Sequence, residues 1–223
     1  GLVSTYIKQG TLNLPTDGAL PATPTMSIDA YNNLMFDSKG RLYIGALHTG
    51  TTYAAVIYQI DIANSYVRKY AGGGLLDDGG SSATSLQIAA GGYSFDESDS
   101  LYVWSVCGGV AVSAATLGTT GKRMIKIVQN SDGTPGTTTR IIGDCSITTI
   151  TSGSSAYSQP AISSTSNSII YTGIIPWDNG NKILVIPNSS SSNRYKIING
   201  TVYSTNVSAP YSMGIGIYNP TDG

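Results

Sequence analysis

Two segments of this 223-residue chain repeat one another at a spacing of 59 residues. The first reads Phe36-Asp37-Ser38-Lys39-Gly40-Arg41-Leu42-Tyr43-Ile44-Gly45, the second Phe95-Asp96-Glu97-Ser98-Asp99-Ser100-Leu101-Tyr102-Val103-Trp104, and between them they hold the only two phenylalanines. In both, an aromatic residue and an aspartate precede a polar turn, and a Leu-Tyr-aliphatic run follows at the same offset. Self-similarity at a fixed period is the mark of a repeat architecture, in which each unit hides its apolar face against the next.

The surrounding sequence extends each copy. Val56 to Ile62, the turn at 63–65 and Tyr66 to Tyr70 follow the first, while Met124 to Val128, the turn at 130–133 and Thr138 to Gly143 follow the second. A third copy is expected from Pro160-Ala161-Ile162 through Ser168 to Gly173, Lys182 to Ile186 and Arg194 to Ile198, with Tyr171 in the place of Tyr43 and Tyr102. A fourth starts at Tyr211 to Tyr218 and ends with Asn219 to Gly223 where the earlier copies have their turn. Amphipathic 3.6-residue periodicity is absent, and β-branched and Tyr residues fill short runs bounded by Gly, Asn, Asp and Ser. The expected fold is all-β: four-stranded meanders over 26–74, 86–145 and 156–200, with an incomplete unit at 201–223. They would form one domain, 1–223, arranged as a small β-propeller of about four blades or a segment of a larger one. A sandwich or β-solenoid is the alternative. Completion of the last unit by residues 1–14, by a neighbouring molecule, or by further chain are all open on the sequence.

The stretch 36–45, and more loosely 95–104, resembles the strand-turn-strand core of β-propeller repeats of the NHL and two-component-regulator kind. The end of the chain, Ile215 to Gly223, is similar to the opening of the tyrosine-rich propeller repeats of prokaryotic surface proteins. The resemblance implies a scaffold used for ligand binding, protein contacts and, in some branches, hydrolysis or lyase chemistry; a fold alone does not choose among these.

Charged residues are 11% of the chain, against about 25% in ordinary soluble domains, and 12 basic against 13 acidic residues leave a net charge of −1. No cluster of Lys and Arg marks a nucleic-acid partner or an anionic membrane. No apolar run approaches the length of a membrane-spanning helix, so no membrane insertion is expected. Solubility falls to Ser, Thr, Asn, Gly and Tyr, a surface more usual outside the cell.

Candidate functional residues are few. His48 is the only histidine, which excludes a multi-His metal centre, and no Gly-x-Ser-x-Gly elbow supplies a nucleophile. No catalytic residue is assigned. Trp177, Asp178 and Asn179, read as part of the connection between the second and third strands of the third unit, form the ligand-binding candidate: an indole to stack on a sugar, with polar neighbours for its hydroxyls. Asp77 and Asp78 are a calcium candidate, the one cofactor considered; Asp96, Glu97, Asp99 and Asp132 read as turn residues, whose carboxylates hydrogen-bond local backbone. Cys107 and Cys145, at the same end of one predicted sheet, are a disulfide candidate that an oxidising compartment would permit. Asn188, Asn199 and Asn206 open three glycosylation sequons. The expected function is a non-catalytic extracellular or surface binding and adhesion module for a glycan or protein receptor, as in a cell-surface protein or viral or phage appendage. A homo-oligomeric structural subunit that shares strands, or a fragment of a longer chain, and a carbohydrate-active propeller enzyme are the alternatives.

Overall fold

The computed structural model describes residues 6–26, 34–47, 55–74, 82–88, 93–106, 122–142, 158–160, 173–180, 182–186, 193–198 and 201–206. Among them are sixteen strands, two short 3₁₀ turns and no α-helix. β1 (Lys8–Gln9), β2 (Asp17–Ala19) and β3 (Thr25–Met26) come first. β4 (Leu34–Phe36), β5 (Leu42–Leu47), β6 (Ala55–Asp61) and β7 (Tyr66–Gly72) follow as an antiparallel meander, with β2 added to the outer edge of β7. A second meander contains β8 (Ser94–Phe95), β9 (Leu101–Val106), β10 (Lys122–Gln129) and β11 (Pro135–Ile142). The third sheet contains β12 (Ser158–Pro160), β13 (Gly173–Trp177), β14 (Lys182–Ile186), β15 (Asn193–Ile198) and β16 (Thr201–Asn206). Its order is β12-β16-β15-β14-β13, the same plan as the first sheet with its added edge strand. A short parallel pair, β1 with β3, stands apart. The expected all-β class and antiparallel meanders are therefore present.

The two segments 59 residues apart make matching hydrogen bonds. Asp37 Oδ1 accepts the backbone N–H groups of Lys39 and Arg41, and Asp96 Oδ1 those of Ser98 and Ser100. The Tyr43 hydroxyl donates to Asp37 Oδ2 at 3.2 Å, and the Tyr102 hydroxyl to Asp96 Oδ2 at 3.1 Å. Both turns need one left-handed residue. Gly40 takes it at φ 76° and Asp99, its counterpart, at φ 58°; glycine suffers no Cβ penalty there, and aspartate is among the few side chains that tolerate it.

Alternation along the strands gives the first sheet two apolar faces. On one, Tyr43, Ile57 and Tyr70 pack with Leu101, Val103, Ile125 and Ile127 of the second sheet. Phe95 drives its ring edge-on into Tyr43 at 4.6 Å between centroids, and Tyr70 meets the same ring at 5.0 Å. Such edge-to-face pairs add about 0.5–1.5 kcal/mol each beyond the area they bury. On the other face, Ile44, Tyr58 and Ile60 are covered by the N-terminal segment through Leu14 and Met26. The described part of residues 1–14 thus lies against the first sheet, with Lys8 paired to Thr25.

The third sheet corrects the predicted phase of the third unit. The segment 182–186 is not its third strand but its second, paired to β13 on one side and β15 on the other. Residues 201–206, assigned to the incomplete fourth unit, form the strand between β15 and the added edge strand β12. Trp177 therefore ends the first strand of its sheet, the position of Phe36 and Phe95, and Trp177-Asp178 answers Phe36-Asp37. The turn that follows is one residue shorter: four residues separate Trp177 from its partner Lys182, where five separate Phe36 from Leu42. Predicted strand residues 161–172, and 207–223, lie outside the described residues.

Candidate functional site

Strand directions gather the short turns at one end of the sheets. β4, β6, β8, β10 and β13 all run toward it, so the turns at 37–41, 61–65, 96–100, 130–134 and 178–180 lie there together. Arg41 Nε meets Asp37 Oδ2 at 2.6 Å, with both side chains almost wholly buried. The guanidinium continues to Gln129 Oε1 of the second sheet, and Gln129 Nε2 donates to the Tyr43 hydroxyl at 2.7 Å. Gln59 also donates to that hydroxyl and to the Gly133 carbonyl at 2.9 Å. In the second sheet the cation comes from elsewhere. Lys126 Nζ lies 2.9 Å from Asp96 Oδ2, and Lys126 sits opposite Tyr102 as Gln59 sits opposite Tyr43. One sheet draws its cation from the turn and the other from the neighbouring strand, yet both neutralise the same buried carboxylate.

Burial alone would raise the Asp37 carboxyl. The Arg41 backbone N–H, its guanidinium and the Lys39 N–H outweigh that and hold it below the usual carboxylate range. Asp96 is held low in the same way, against burial, by Lys126 and the N–H groups of Ser100 and Ser98. Burial pushes the Tyr43 and Tyr102 hydroxyls up, and that of Tyr70 to about 12, so all three stay protonated across the working range. A group with a depressed folded pKa stabilises fully above its unfolded value and loses that contribution as pH falls through the folded one. The melting temperature is thus expected to fall as pH drops below the ordinary carboxylate range, and to fall less steeply in Asp96→Asn. Thermal melts across an acidic series check this; a flat profile would contradict it.

The second turn also grips its neighbours. Asp99 accepts the N–H and hydroxyl of Ser38 from the first turn. Glu97 accepts the N–H groups of Asp178 and Asn179 from the third, both at 3.0 Å. The Ser98 hydroxyl meets Asn179 Oδ1 at 2.7 Å, and Lys126 Nζ lies 3.2 Å from the Asn179 carbonyl. Of the ligand-binding candidate, Asp178 and Asn179 are exposed and fixed at this seam between the second and third sheets, on a backbone with positive φ at both.

Asp132 occupies the β10–β11 hairpin, where its carboxylate accepts the Thr134 N–H, as expected of a turn residue. Trp104 is buried, as its place opposite Met124 suggests. His48, the calcium candidates Asp77 and Asp78, and the sequon residues Asn188 and Asn199 lie outside the described residues. Asn206 ends β16, paired with Asn193. Cys107 and Cys145 also lie outside; each is three residues beyond a strand residue paired with Met124. Among the described residues no three His, Cys, Asp or Glu side chains gather to hold a metal ion, and no helix is long and apolar enough to cross a membrane. The roles of Glu97, Gln59, Gln129 and Lys126 were missed by sequence reasoning, since they depend on which sheet packs on which. No protein-family model matches the chain, and comparison with curated proteins finds no match.

Proposed function

We propose that this chain is a non-catalytic, surface-exposed binding module that recognises a glycan on a scaffold of propeller-type stacked sheets. The observation that carries this reading is the fixed seam at 177–179. Two carboxylate bonds from Glu97 and one ammonium contact from Lys126 hold the Asp178–Asn179 backbone, and the Ser98 hydroxyl holds the Asn179 side chain, while both residues face solvent. Trp177 precedes this pair in sequence, an indole would offer such a platform a stacking surface, and preorganisation lowers the entropy lost on binding. The described carboxylates at the seams between these turns are committed to structure. A glycosidase needs two of them free, about 5–10 Å apart, whereas Asp37 and Asp96 are saturated by structural donors, and Glu97 and Asp99 hold neighbouring turns. An oxidised, extracellular setting with a Cys107–Cys145 bridge belongs to the same reading, as does a protein receptor in place of a glycan.

A glycan array probed with the full chain is the direct test, followed by titration of any hit against Trp177→Ala. If the indole is the anchor, affinity should fall by roughly thirty-fold, the effect of losing about 2 kcal/mol at a binding hot spot. An array without hits, together with an empty receptor pull-down, would overturn the proposal.

A further inference from the structure

The first sheet leaves the aromatic residue at the end of β4 largely exposed. Phe95 ends the first strand of its sheet and lies against Tyr43 of the preceding one. Phe36 holds the same place 59 residues earlier, yet is 58% exposed, and Leu34 on the same side of β4 is 64% exposed. Met35, between them, points the other way and packs into the core shared with the second sheet. Two large apolar side chains on one sheet-edge strand are an unusual exposure for a soluble protein. Elsewhere that face is already covered by residues of the N-terminal segment, including Leu14 and Met26. Among the described residues of that face, what stays open is the strip along β4.

We propose that this strip is the docking surface for residues 211–218 of the same chain, laid along β4 as the first strand of a further sheet. Tyr211-Ser212-Met213-Gly214-Ile215-Gly216-Ile217-Tyr218 alternates apolar residues at 211, 213, 215 and 217 with Ser212, Gly214 and Gly216. As a strand it would set one apolar face on Leu34 and Phe36, with Ser212, Gly214, Gly216 and Tyr218 behind it. The pairing repeats a neighbour relation already present, since β13, the first strand of the third sheet, runs against β8, the first strand of the second. This inference rests on the stacking of the sheets and not on glycan binding.

The test places a photoreactive phenylalanine analogue at position 36 of the full chain, where high exposure makes it harmless to folding. Equal amounts of isotopically light and heavy protein are mixed, irradiated and mapped by mass spectrometry. Crosslinks should run to 211–218 and join only light to light and heavy to heavy. Crosslinks to another segment, mixed light–heavy products, or none at all would overturn the proposal. The same analogue at position 95 must reach the Leu42–Ile44 strand. If it does not, the stacking itself is wrong; if it does while position 36 fails, only the docking inference falls.

Discussion

Replacing Asp37 with alanine should cost about 3–5 kcal/mol, the usual penalty for removing one partner of a buried ion pair. The carboxylate accepts two turn N–H groups through one oxygen, and the Arg41 guanidinium and Tyr43 hydroxyl through the other. Alanine leaves a buried guanidinium without its counter-ion, and the turn loses both bonds that close it. Since Arg41 and Tyr43 also carry the bonds to Gln129, the damage spreads across the seam to the second sheet. Against a typical total stability of about 5–15 kcal/mol, such a loss decides whether the chain folds in a cell. Urea unfolding of the variant measures it. Asp61→Ala is the control, because its carboxylate mainly closes the exposed turn at Asn64, feeling Arg41 only as a weaker charge effect, and should cost about 0.5–1.5 kcal/mol. Equal losses in the two variants would show that the buried cluster does not bind the sheets together.

Asp37 was visible in the sequence because its task is local: the turn it closes is written in the five residues after it, and the copy at Asp96 repeats the pattern. The cations were hidden for the opposite reason. Arg41 lies in the turn of one copy, where the other has Ser100, and Lys126 lies across a strand pair, where the first copy has Gln59. The substitutions compensate only in three dimensions. The third unit was misphased because its marks changed together: Trp177 stands for phenylalanine, Ile183 holds the register position where a tyrosine was sought, and the turn is a residue shorter. Ser168 to Gly173, with Tyr171 at its centre, offered a better one-dimensional match to the second strand. Pairing across the Asp178–Gly180 turn overrides it, since β13 and β14 form a continuous five-residue antiparallel ladder. Glu97 could be read as a turn residue, but its hold on the third sheet's turn requires knowing that the second and third sheets are neighbours.

Gly72→Ala should destabilise the fold by about 3–4 kcal/mol, while Gly40→Ala, at nearly the same backbone angle, should cost about 1–2 kcal/mol. Both glycines are left-handed, at φ 82° and φ 76°, so both variants bear the strain of a Cβ in that region. They differ in space. A Cβ on Gly40 meets nothing within 4 Å, whereas one on Gly72 would lie 2.2 Å from the Ala55 carbonyl oxygen, which belongs to backbone and cannot rotate away. Ala55 also donates its N–H to the Ile88 carbonyl, and Ile88 bridges to Ser105 at the end of β9, so moving Ala55 pulls on a junction between the first and second sheets. Paired thermal and urea unfolding of the two variants separates strain from collision. Because Asp99 takes the left-handed place in the second copy, Gly40→Asp should be tolerated better than Gly40→Ala, aspartate being among the few side chains that visit that region. Equal costs for Gly72→Ala and Gly40→Ala would mean that the junction at Ala55 yields freely, and that the first two sheets are held together by their aromatic core and polar turn end alone.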